Sequence, residues 1–253
     1  MADLRTISRT TLTPRALLQE HGTIVATFDR RGQGSGNLCY GLRTEHGDFF
    51  VKTAGDAADP APTLRFADRV RLLHSAAALY FSCPHPALAT LHTTIETPRG
   101  PALVYTWADG APLRGRLLPQ ERALTVLDRL YALHAQLARC GWIAADLYDE
   151  SLLYDDDTDT LTVIDLDLYQ PAPFRNQMGR MFGSSHFMAP EEFQKGAIID
   201  QKTTTFVLGR AACVLAPDLD SPTVRRACQP DRDRRFETVA HFWRAWQAER
   251  LTA

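Results

Sequence analysis

Apolar residues follow a short-strand pattern in the first part of the chain and a helical pattern further on. Three β-rich runs, Thr23–Phe28, Leu38–Thr44 and Phe49–Thr53, predict strands. The segment Leu64–Phe81 carries apolar side chains every three or four positions, which predicts a long helix. Two more strands are predicted after it, over Leu88–His92 and Ala102–Thr106.

The remainder of the chain is mostly helical in pattern. Arg122–Gly141 predicts a helix that ends at its glycine. Leu152–Tyr154 and Leu161–Ile164 predict short strands on either side of an acidic turn. Two further helices are predicted over Thr204–Ala216 and Glu237–Arg250. Strands first and helices later predict an α+β fold with two unequal lobes.

Composition limits the classes of partner and location. The chain has 253 residues, of which 45% are hydrophobic and 23% charged, as is typical of a soluble globular protein. A net charge of -2 gives no electrostatic reason to expect nucleic acid or an acidic membrane surface as a partner. There is no signal pattern or membrane-length apolar run, and the five scattered cysteines suggest reduced thiols rather than a disulfide framework. We therefore expect a cytoplasmic protein.

Four short segments carry most of the chemical information. They are Phe50–Thr53, Ala145–Ser151, Val163–Asp167 and Met188–Glu191. Asp146 and Asp165 are 19 residues apart, and Asp165 and Glu191 are 26 apart. In this order and spacing the segments resemble the protein-kinase superfamily: the lysine strand, the catalytic loop, the metal-binding Asp and the Ala-Pro-Glu anchor.

The resemblance implies one protein-kinase-like domain over residues 1–253. A small β-rich N-lobe would cover about residues 20–106, a hinge about 106–110, and a mostly helical, shortened C-lobe about 111–253. It implies ATP and Mg²⁺ as cofactors and phosphoryl transfer as the reaction.

A glycine cluster lies between two predicted strands, ahead of the lysine strand. Gly32, Gly34 and Gly36 would let the backbone approach a triphosphate and turn its N–H groups toward it. The alternative is a plain hairpin turn. The position before a strand that carries a lysine favours the phosphate loop.

Lys52 ends the predicted strand Phe49–Thr53. The resemblance implies that it neutralises the α- and β-phosphates of ATP, whereas an isolated lysine here would simply reach solvent. Its usual partner in the family is a Glu on the next helix. The predicted helix Leu64–Phe81 offers only Asp68, so either Asp68 substitutes or the helix supplies no partner.

Val104–Gly110 resembles the hinge between kinase lobes. The resemblance implies that the backbone of Thr106, Trp107 and Ala108 faces adenine. The alternative is an ordinary exit from a strand into a loop.

Asp146 occupies the position of the carboxylate that orients the attacking hydroxyl and accepts its proton. Ala144-Ala145 replaces the family's His-Arg, and Tyr148 stands where Ser/Thr kinases carry a Lys. The family's bracing Asp on the following helix is also missing, with Thr204 or Thr205 in its place. Asp146 could otherwise be a loop or capping carboxylate.

The implied metal ligands are Asp165, Ser151 and Asp167. Ser151 replaces the family's Asn, and a neutral hydroxyl is a poorer ligand for Mg²⁺ than an amide. Asp167 replaces the glycine of Asp-Phe-Gly, and we expect its carboxylate either to compensate for Ser151 or to cap a turn.

Gly183–Glu191 resembles the kinase substrate-docking loop and is the most specific signal in the chain. Ser184 matches the Thr that contacts the catalytic Asp in Ser/Thr kinases. Glu191 is expected to pair with a late arginine, with Arg235 as the best candidate.

The leading interpretation is a compact, bacterial-type Ser/Thr protein kinase that acts on an unidentified protein substrate. Two alternatives stay open. One is a small-molecule kinase of the aminoglycoside type, which the Ala-Pro-Glu segment argues against. The other is a pseudokinase scaffold, against which the presence of Lys52, Asp146 and Asp165 together counts.

Overall fold

The computed structural model describes residues 3–29, 36–58 and 64–252, and its fold is α+β, as predicted. The chain divides into two compact units. Met1–Pro84 and Ala89–Ala108 belong to the first unit, and His85–Leu88 and Asp109–Ala253 to the second.

The first unit is built on a five-stranded antiparallel sheet with strand order β1-β2-β3-β5-β4. Its strands are β1 (Thr23–Phe28), β2 (Leu38–Thr44), β3 (Gly47–Thr53), β4 (Leu91–Thr97) and β5 (Gly100–Thr106). Its helices are α1 (Pro14–His21) and α2 (Phe66–Ser82). The short β2–β3 and β4–β5 connections make both pairs hairpins, which fixes the register of the central strands.

One face of the sheet is covered by the N-terminal segment. Leu4, Leu17 and Leu18 are buried in the same core as Tyr40 and Val51 from the sheet. Burial of such aliphatic side chains contributes about 1.5–3 kcal/mol each. The segment before α1 also lies along the edge strand β4, where Glu96 N–H donates to Ser8 O at 2.9 Å.

The second unit is mainly helical, with several short strand pairs. Its helices are α3 (Gln120–Arg139), α4 (Gln201–Leu215), α5 (Pro222–Ala227) and α6 (Val239–Arg250). Its strands are β6 (Ala111–Pro112), β7 (Trp142–Ile143), β8 (Leu152–Asp155), β9 (Thr160–Val163), β10 (Gln170–Pro171), β11 (Phe174–Arg175) and β12 (Ile198–Ile199). The sheet orders are β6-β8-β9, β10-β7 and β11-β12.

Aromatic packing joins α3 to α6 in this unit. The ring of Tyr131 on α3 meets Phe242 and Trp246 of α6 edge-on, at centroid distances of 4.6 and 5.2 Å. Trp246 Nε1 donates to Asp128 Oδ1 at 2.5 Å, so the buried indole has a polar partner.

Most predicted elements agree with the structure within three residues at either end, but one strand is largely wrong. The predicted strand Leu88–His92 begins at Leu91 instead. Leu88 forms an isolated parallel bridge with Val163, and Ala87 O accepts Val163 N–H at 2.7 Å. The prolines at positions 84 and 86 redirect the chain there, since proline restricts the residue before it and lacks a donor.

Three of the cysteines agree with the expectation of reduced thiols. Cys39, Cys213 and Cys228 carry free thiols. Within the described ranges, no helix combines the length and apolar character needed to cross a bilayer.

Candidate active site

Two antiparallel pairings bring the Asp146 loop next to the Asp165 segment. Strand β7 pairs with β10, so the residues that follow β7 lie at the same end as those that precede β10. Strand β8 pairs with β9, with Leu152 opposite Val163. Ile164 N–H continues this ladder by donating to Ser151 O at 2.9 Å. The two loops are therefore held together at both ends by backbone hydrogen bonds.

A side-chain hydrogen bond also joins these loops. Tyr148 Oη donates to Asp165 Oδ2 at 3.0 Å, across a sequence separation of 17. Asp146 and Asp165 both have left-handed backbone conformations, with φ of 61° and 64°. Non-glycine residues seldom adopt this conformation, and Asp and Asn adopt it most readily. Both carboxylates are partly exposed, which keeps them accessible to a ligand.

Asp146 lies against the start of the docking loop. A Cβ built on Gly183 would lie 3.6 Å from Asp146 Oδ1, and Gly183 itself has a φ of 136°. Gly183 immediately precedes Ser184, whose counterpart in the resemblance contacts the catalytic Asp. The geometry thus brings this part of the docking loop to the Asp146 carboxylate.

Helix α4 supports the loop that carries Asp146. Thr204 Oγ1 accepts a hydrogen bond from Ala144 N–H at 3.3 Å, and both groups are buried. Of the two threonines considered from the sequence, Thr204 is therefore the one that braces this loop. Thr205 Oγ1 instead donates to Lys202 O on its own helix at 2.9 Å.

The Ser151 hydroxyl forms its hydrogen bonds within the local 3-10 turn. Its hydroxyl donates to Tyr148 O at 2.6 Å, and Tyr148 N–H donates back to Ser151 Oγ at 3.4 Å. The residue is buried and occupies the 3-10 turn Asp149–Ser151. In this conformation the hydroxyl serves the local turn, and its use as a metal ligand stays a prediction.

Asp165 and Asp167 have the donor chemistry that Mg²⁺ requires. Both supply hard carboxylate oxygens, and Asp167 is buried while Asp165 is partly exposed. Over the described part of the chain, no cluster of three or more His, Cys, Asp or Glu side chains is arranged to hold a metal ion. The two aspartates are the carboxylate members of the predicted metal set, and their use as Mg²⁺ ligands stays a prediction.

Glu191 and Arg235 form the predicted buried pair. Arg235 Nη1 donates to Glu191 Oε1 at 2.7 Å and Nη2 to Oε2 at 3.1 Å, so the pairing is bidentate. Thr203 Oγ1 donates to the same Glu191 Oε1 at 2.8 Å. Although burial raises the pKa of Glu191, the hydrogen bonds from Arg235 and Thr203 and the guanidinium charge hold that pKa below its usual value.

Every donor of Arg235 has an acceptor. Besides its two bonds to Glu191, Arg235 donates to the backbone oxygens of Gln229, Lys202 and Pro230, at 2.6, 3.3 and 3.1 Å. The side chain is 0% exposed. A guanidinium has five N–H donors in a fixed planar arrangement, and all five are used. This pair anchors the Ala-Pro-Glu segment to the region before α6.

A second buried carboxylate, Glu192, follows Glu191 and has no signal in the sequence. Glu192 is buried in the 3-10 turn Pro190–Phe193, and its Oε2 accepts Ala189 N–H at 2.6 Å. Burial, together with the charges of Glu191 and Asp146, raises the pKa of Glu192 to about 7, although the Ala189 hydrogen bond opposes the shift. A Glu after an Ala-Pro-Glu motif would ordinarily be read as a surface residue.

Lys52 lies on a central strand of the first unit. On β3 it is opposite Cys39 of β2 and Leu103 of β5, and it is buried. Asp68 forms ion pairs with Arg65 at 3.0 Å and Arg71 at 3.7 Å, both within or next to its own helix. The pairing of Asp68 with Lys52, one of the two alternatives considered, is therefore not observed.

The glycine cluster is described only at its last member. Gly32 and Gly34 lie outside the described residues, whereas Gly36 has a φ of 84°. The buried guanidinium of Arg69 on α2 donates to Gly36 O and, at 3.1 Å, to Asp56 O. Arg69 thus fixes the end of the glycine segment, a role that helical periodicity does not reveal.

The predicted hinge residues differ in whether their backbone N–H groups donate hydrogen bonds. Thr106 N–H donates to Thr90 O at 2.9 Å, and Trp107 N–H donates to Asp48 O at 3.0 Å. The Trp107 ring packs on Gly41, where an added Cβ would approach it to 2.7 Å. Among these three residues, Ala108 is the one whose N–H has no acceptor within the described ranges.

Comparison with known proteins gives weak, partial matches. No protein-family model matches the chain. A calcium/calmodulin-dependent serine/threonine-protein kinase of Malus domestica is 29% identical over 133 residues, which is 50% of this chain and 32% of the relative. Calcium and calcium/calmodulin-dependent serine/threonine-protein kinases of Lilium longiflorum and Pisum sativum are 25% and 28% identical, over 64% and 46% of this chain.

These matches cover 32%, 33% and 23% of the relatives' own lengths, so the chain spans a third of them or less. The similarity indicates a protein-kinase-like relationship, and the α+β architecture is compatible with it.

Proposed function

We propose that this chain is an ATP-dependent phosphotransferase that moves the γ-phosphoryl group of MgATP to a serine or threonine hydroxyl of a protein. The observation that carries the proposal is the Tyr148–Asp165 hydrogen bond of 3.0 Å. It holds the Asp146 loop beside Asp165, while Gly183 of the docking loop adjoins Asp146 Oδ1. Three motifs separated in sequence therefore meet within one unit.

In this proposal Asp146 orients the acceptor hydroxyl and takes its proton as the phosphoryl group is transferred. Phosphoryl transfer needs positioning and charge neutralisation more than covalent participation by the protein. Lys52 and the glycine segment that ends at Gly36 would bind the phosphates. The Ala108 N–H would donate to adenine.

Mg²⁺ would be held by Asp165 and Asp167, and when bound it would neutralise charge on the phosphate oxygens. Asp165 already accepts the Tyr148 hydroxyl, which fixes one of its oxygens.

The test is transfer of labelled γ-phosphate from MgATP to casein, to histone and to the chain itself. Asp146→Asn should lower transfer at least about 100-fold, the usual contribution of a positioned general base. The matched control is Asp157→Asn, which alters an exposed carboxylate in the turn between β8 and β9 and should leave transfer unchanged. Equal labelling by the parent and by Asp146→Asn would refute the proposal.

One observation favours a pseudokinase as the second candidate. Ser151 donates its hydroxyl to Tyr148 O at 2.6 Å and so leaves the metal set with fewer ligands than the family pattern implies. In a pseudokinase, nucleotide would either fail to raise the Tm or raise it independently of Mg²⁺, and no label would be transferred. Mg²⁺-dependent ADP release that requires an added small-molecule hydroxyl acceptor, which takes the phosphoryl group while the proteins stay unlabelled, would instead indicate a small-molecule kinase.

A further inference from the structure

Two free thiols lie on the second unit, where α4 packs against α5. Cys213 lies on α4, and Cys228 is the residue that ends α5. Neither forms a disulfide, and both are partly exposed. The Cys228 sulfur lies against α4 at Gly209, one helical turn from Cys213. Of the other described cysteines, Cys39 is also a free thiol but is 0% exposed.

A glycine in α4 makes room for this contact. A Cβ built on Gly209 would approach Cys228 Sγ to 2.8 Å and the Ala227 Cβ to 2.9 Å. Positions 209 and 213 are one helical turn apart and share a face of α4. Glycine inside a helix costs about 1 kcal/mol relative to alanine. Gly209 therefore weakens α4 slightly, but it leaves the space that the Cys228 sulfur occupies against this helix.

The pKa values of the two thiols are shifted in opposite directions. The neighbouring Cys228 thiol and the positive charge of Arg210 lower the pKa of Cys213, although partial burial opposes the shift. The neighbouring Cys213 thiol and burial raise the pKa of Cys228. Arg210 is held next to the pair by a 2.8 Å hydrogen bond from its Nε to His186 O. A partly exposed thiol near an arginine is the usual setting of a reactive cysteine.

We propose that Cys213 and Cys228 form a reversible oxidation site for hydroperoxides, with Cys213 as the attacking sulfur and Cys228 as the resolving sulfur. The Cys213 sulfur attacks a peroxide oxygen, so that an S–O bond forms, the O–O bond breaks and water or an alcohol leaves. Cys228 then attacks the sulfenic sulfur: an S–S bond forms, and the hydroxyl leaves as water with the Cys228 proton. One hydroperoxide is reduced as two thiols are oxidised, and a dithiol reductant reverses the step.

The experiment treats the full chain with hydrogen peroxide and follows the peptides by mass spectrometry. The parent should yield one new linkage between the Cys213 and Cys228 peptides, with a mass lower by two hydrogen atoms, and dithiothreitol should reverse it. Cys228→Ser should form no such linkage and should accumulate a Cys213 sulfenic acid that dimedone traps. Cys213→Ser should form neither product.

The control is Cys39→Ser, which changes a buried thiol in the other unit and should oxidise like the parent. Gly209→Ala supplies a second variant that keeps both thiols. Its added methyl group displaces the Cys228 sulfur, so disulfide formation should slow while trapping at Cys213 persists. Absence of the linkage in the folded parent, or preferential trapping at Cys228, would overturn the proposal. The readout is a covalent product, so it is independent of whether the chain transfers phosphate.

Discussion

The Tyr148 hydroxyl donates to Asp165 Oδ2 at 3.0 Å, and this bond competes with any cation for the same oxygen. A hydrogen bond to a carboxylate contributes about 1.5–3 kcal/mol in a protein. Tyr148→Phe keeps the ring and removes only the donor. Since the position would carry a Lys in Ser/Thr kinases, the hydroxyl is a feature of this chain rather than of the motif it resembles.

We expect Tyr148→Phe to bind Mg²⁺ about fivefold to tenfold more tightly in the presence of nucleotide, equivalent to about 1 kcal/mol. Mg²⁺ titration with the shift in Tm as the readout measures this effect. Asp165→Asn is the control, because it removes the ligand itself and should abolish the Mg²⁺-dependent part of the shift. Weaker binding by Tyr148→Phe would mean that the hydroxyl orients Asp165 for the cation instead of competing with it.

The Glu191–Arg235 pair should dominate the stability of the docking segment. Arg235→Lys keeps the charge but cannot supply five planar donors, so it leaves buried acceptors unsatisfied. Breaking a buried ion pair costs about 3–5 kcal/mol when one partner is removed, and we expect roughly half of that for lysine. Denaturant unfolding measures the change. Arg234→Lys, at an exposed neighbouring position, should unfold like the parent.

Glu192 should make the protein less stable as the pH rises. Its pKa is raised to about 7 in the folded protein, above the ordinary 4.5, so the folded state binds a proton more tightly than the unfolded state. Its contribution to stability is therefore fully present below about pH 4.5 and is lost as the pH rises through about 7.

Glu192→Gln retains an oxygen for the Ala189 N–H and removes the charge. It should gain stability relative to the parent above pH 7, by at most about 3 kcal/mol, and converge with it at acidic pH. Tm measured from pH 5 to 9 for both proteins tests this expectation. If the two curves of Tm against pH run parallel, Glu192 is ionised over the whole pH range and burial does not raise its pKa.

Thr204→Val should weaken the loop that carries Asp146. The substitution preserves shape but leaves the buried Ala144 N–H without its acceptor, which costs about 1–3 kcal/mol. If the proposed function is correct, phosphoryl transfer should fall as well. The matched control is Thr205→Val, because Lys202 O, the acceptor of the Thr205 hydroxyl, also accepts Arg235 Nη1. Equal effects of the two variants would argue that Thr204 acts only through helix packing.

The regular elements were predictable from the sequence because their signals are local. The strands Thr23–Phe28 and Leu38–Thr44 were predicted at their observed bounds, and α2 and α3 within two residues. The Glu191–Arg235 pair also followed, since the motif resemblance supplied both ends. These successes depend on spacing along the chain and need no tertiary information.

Contacts set by tertiary burial were not predictable. Whether Glu192 or Arg69 lies inside depends on which segments fold over them, and charged residues are ordinarily exposed. The inward turn of Ser151 depends equally on the local 3-10 geometry. The cytoplasmic location and bacterial origin expected from the sequence stay predictions, and the relatives matched are plant proteins.

The left-handed backbone at Asp146 and Asp165 restricts which amino acids the two positions can accept. With φ of 61° and 64°, a β-carbon is crowded by the following carbonyl, at a cost of about 1–2 kcal/mol for most residues. Asparagine and glycine tolerate this conformation, and alanine or a branched residue does so poorly. Mutational surveys that score only protein abundance should therefore detect both positions, before any chemistry is assayed. Selection for fold and selection for reactivity would act on the same two residues, and asparagine is the substitution that separates them.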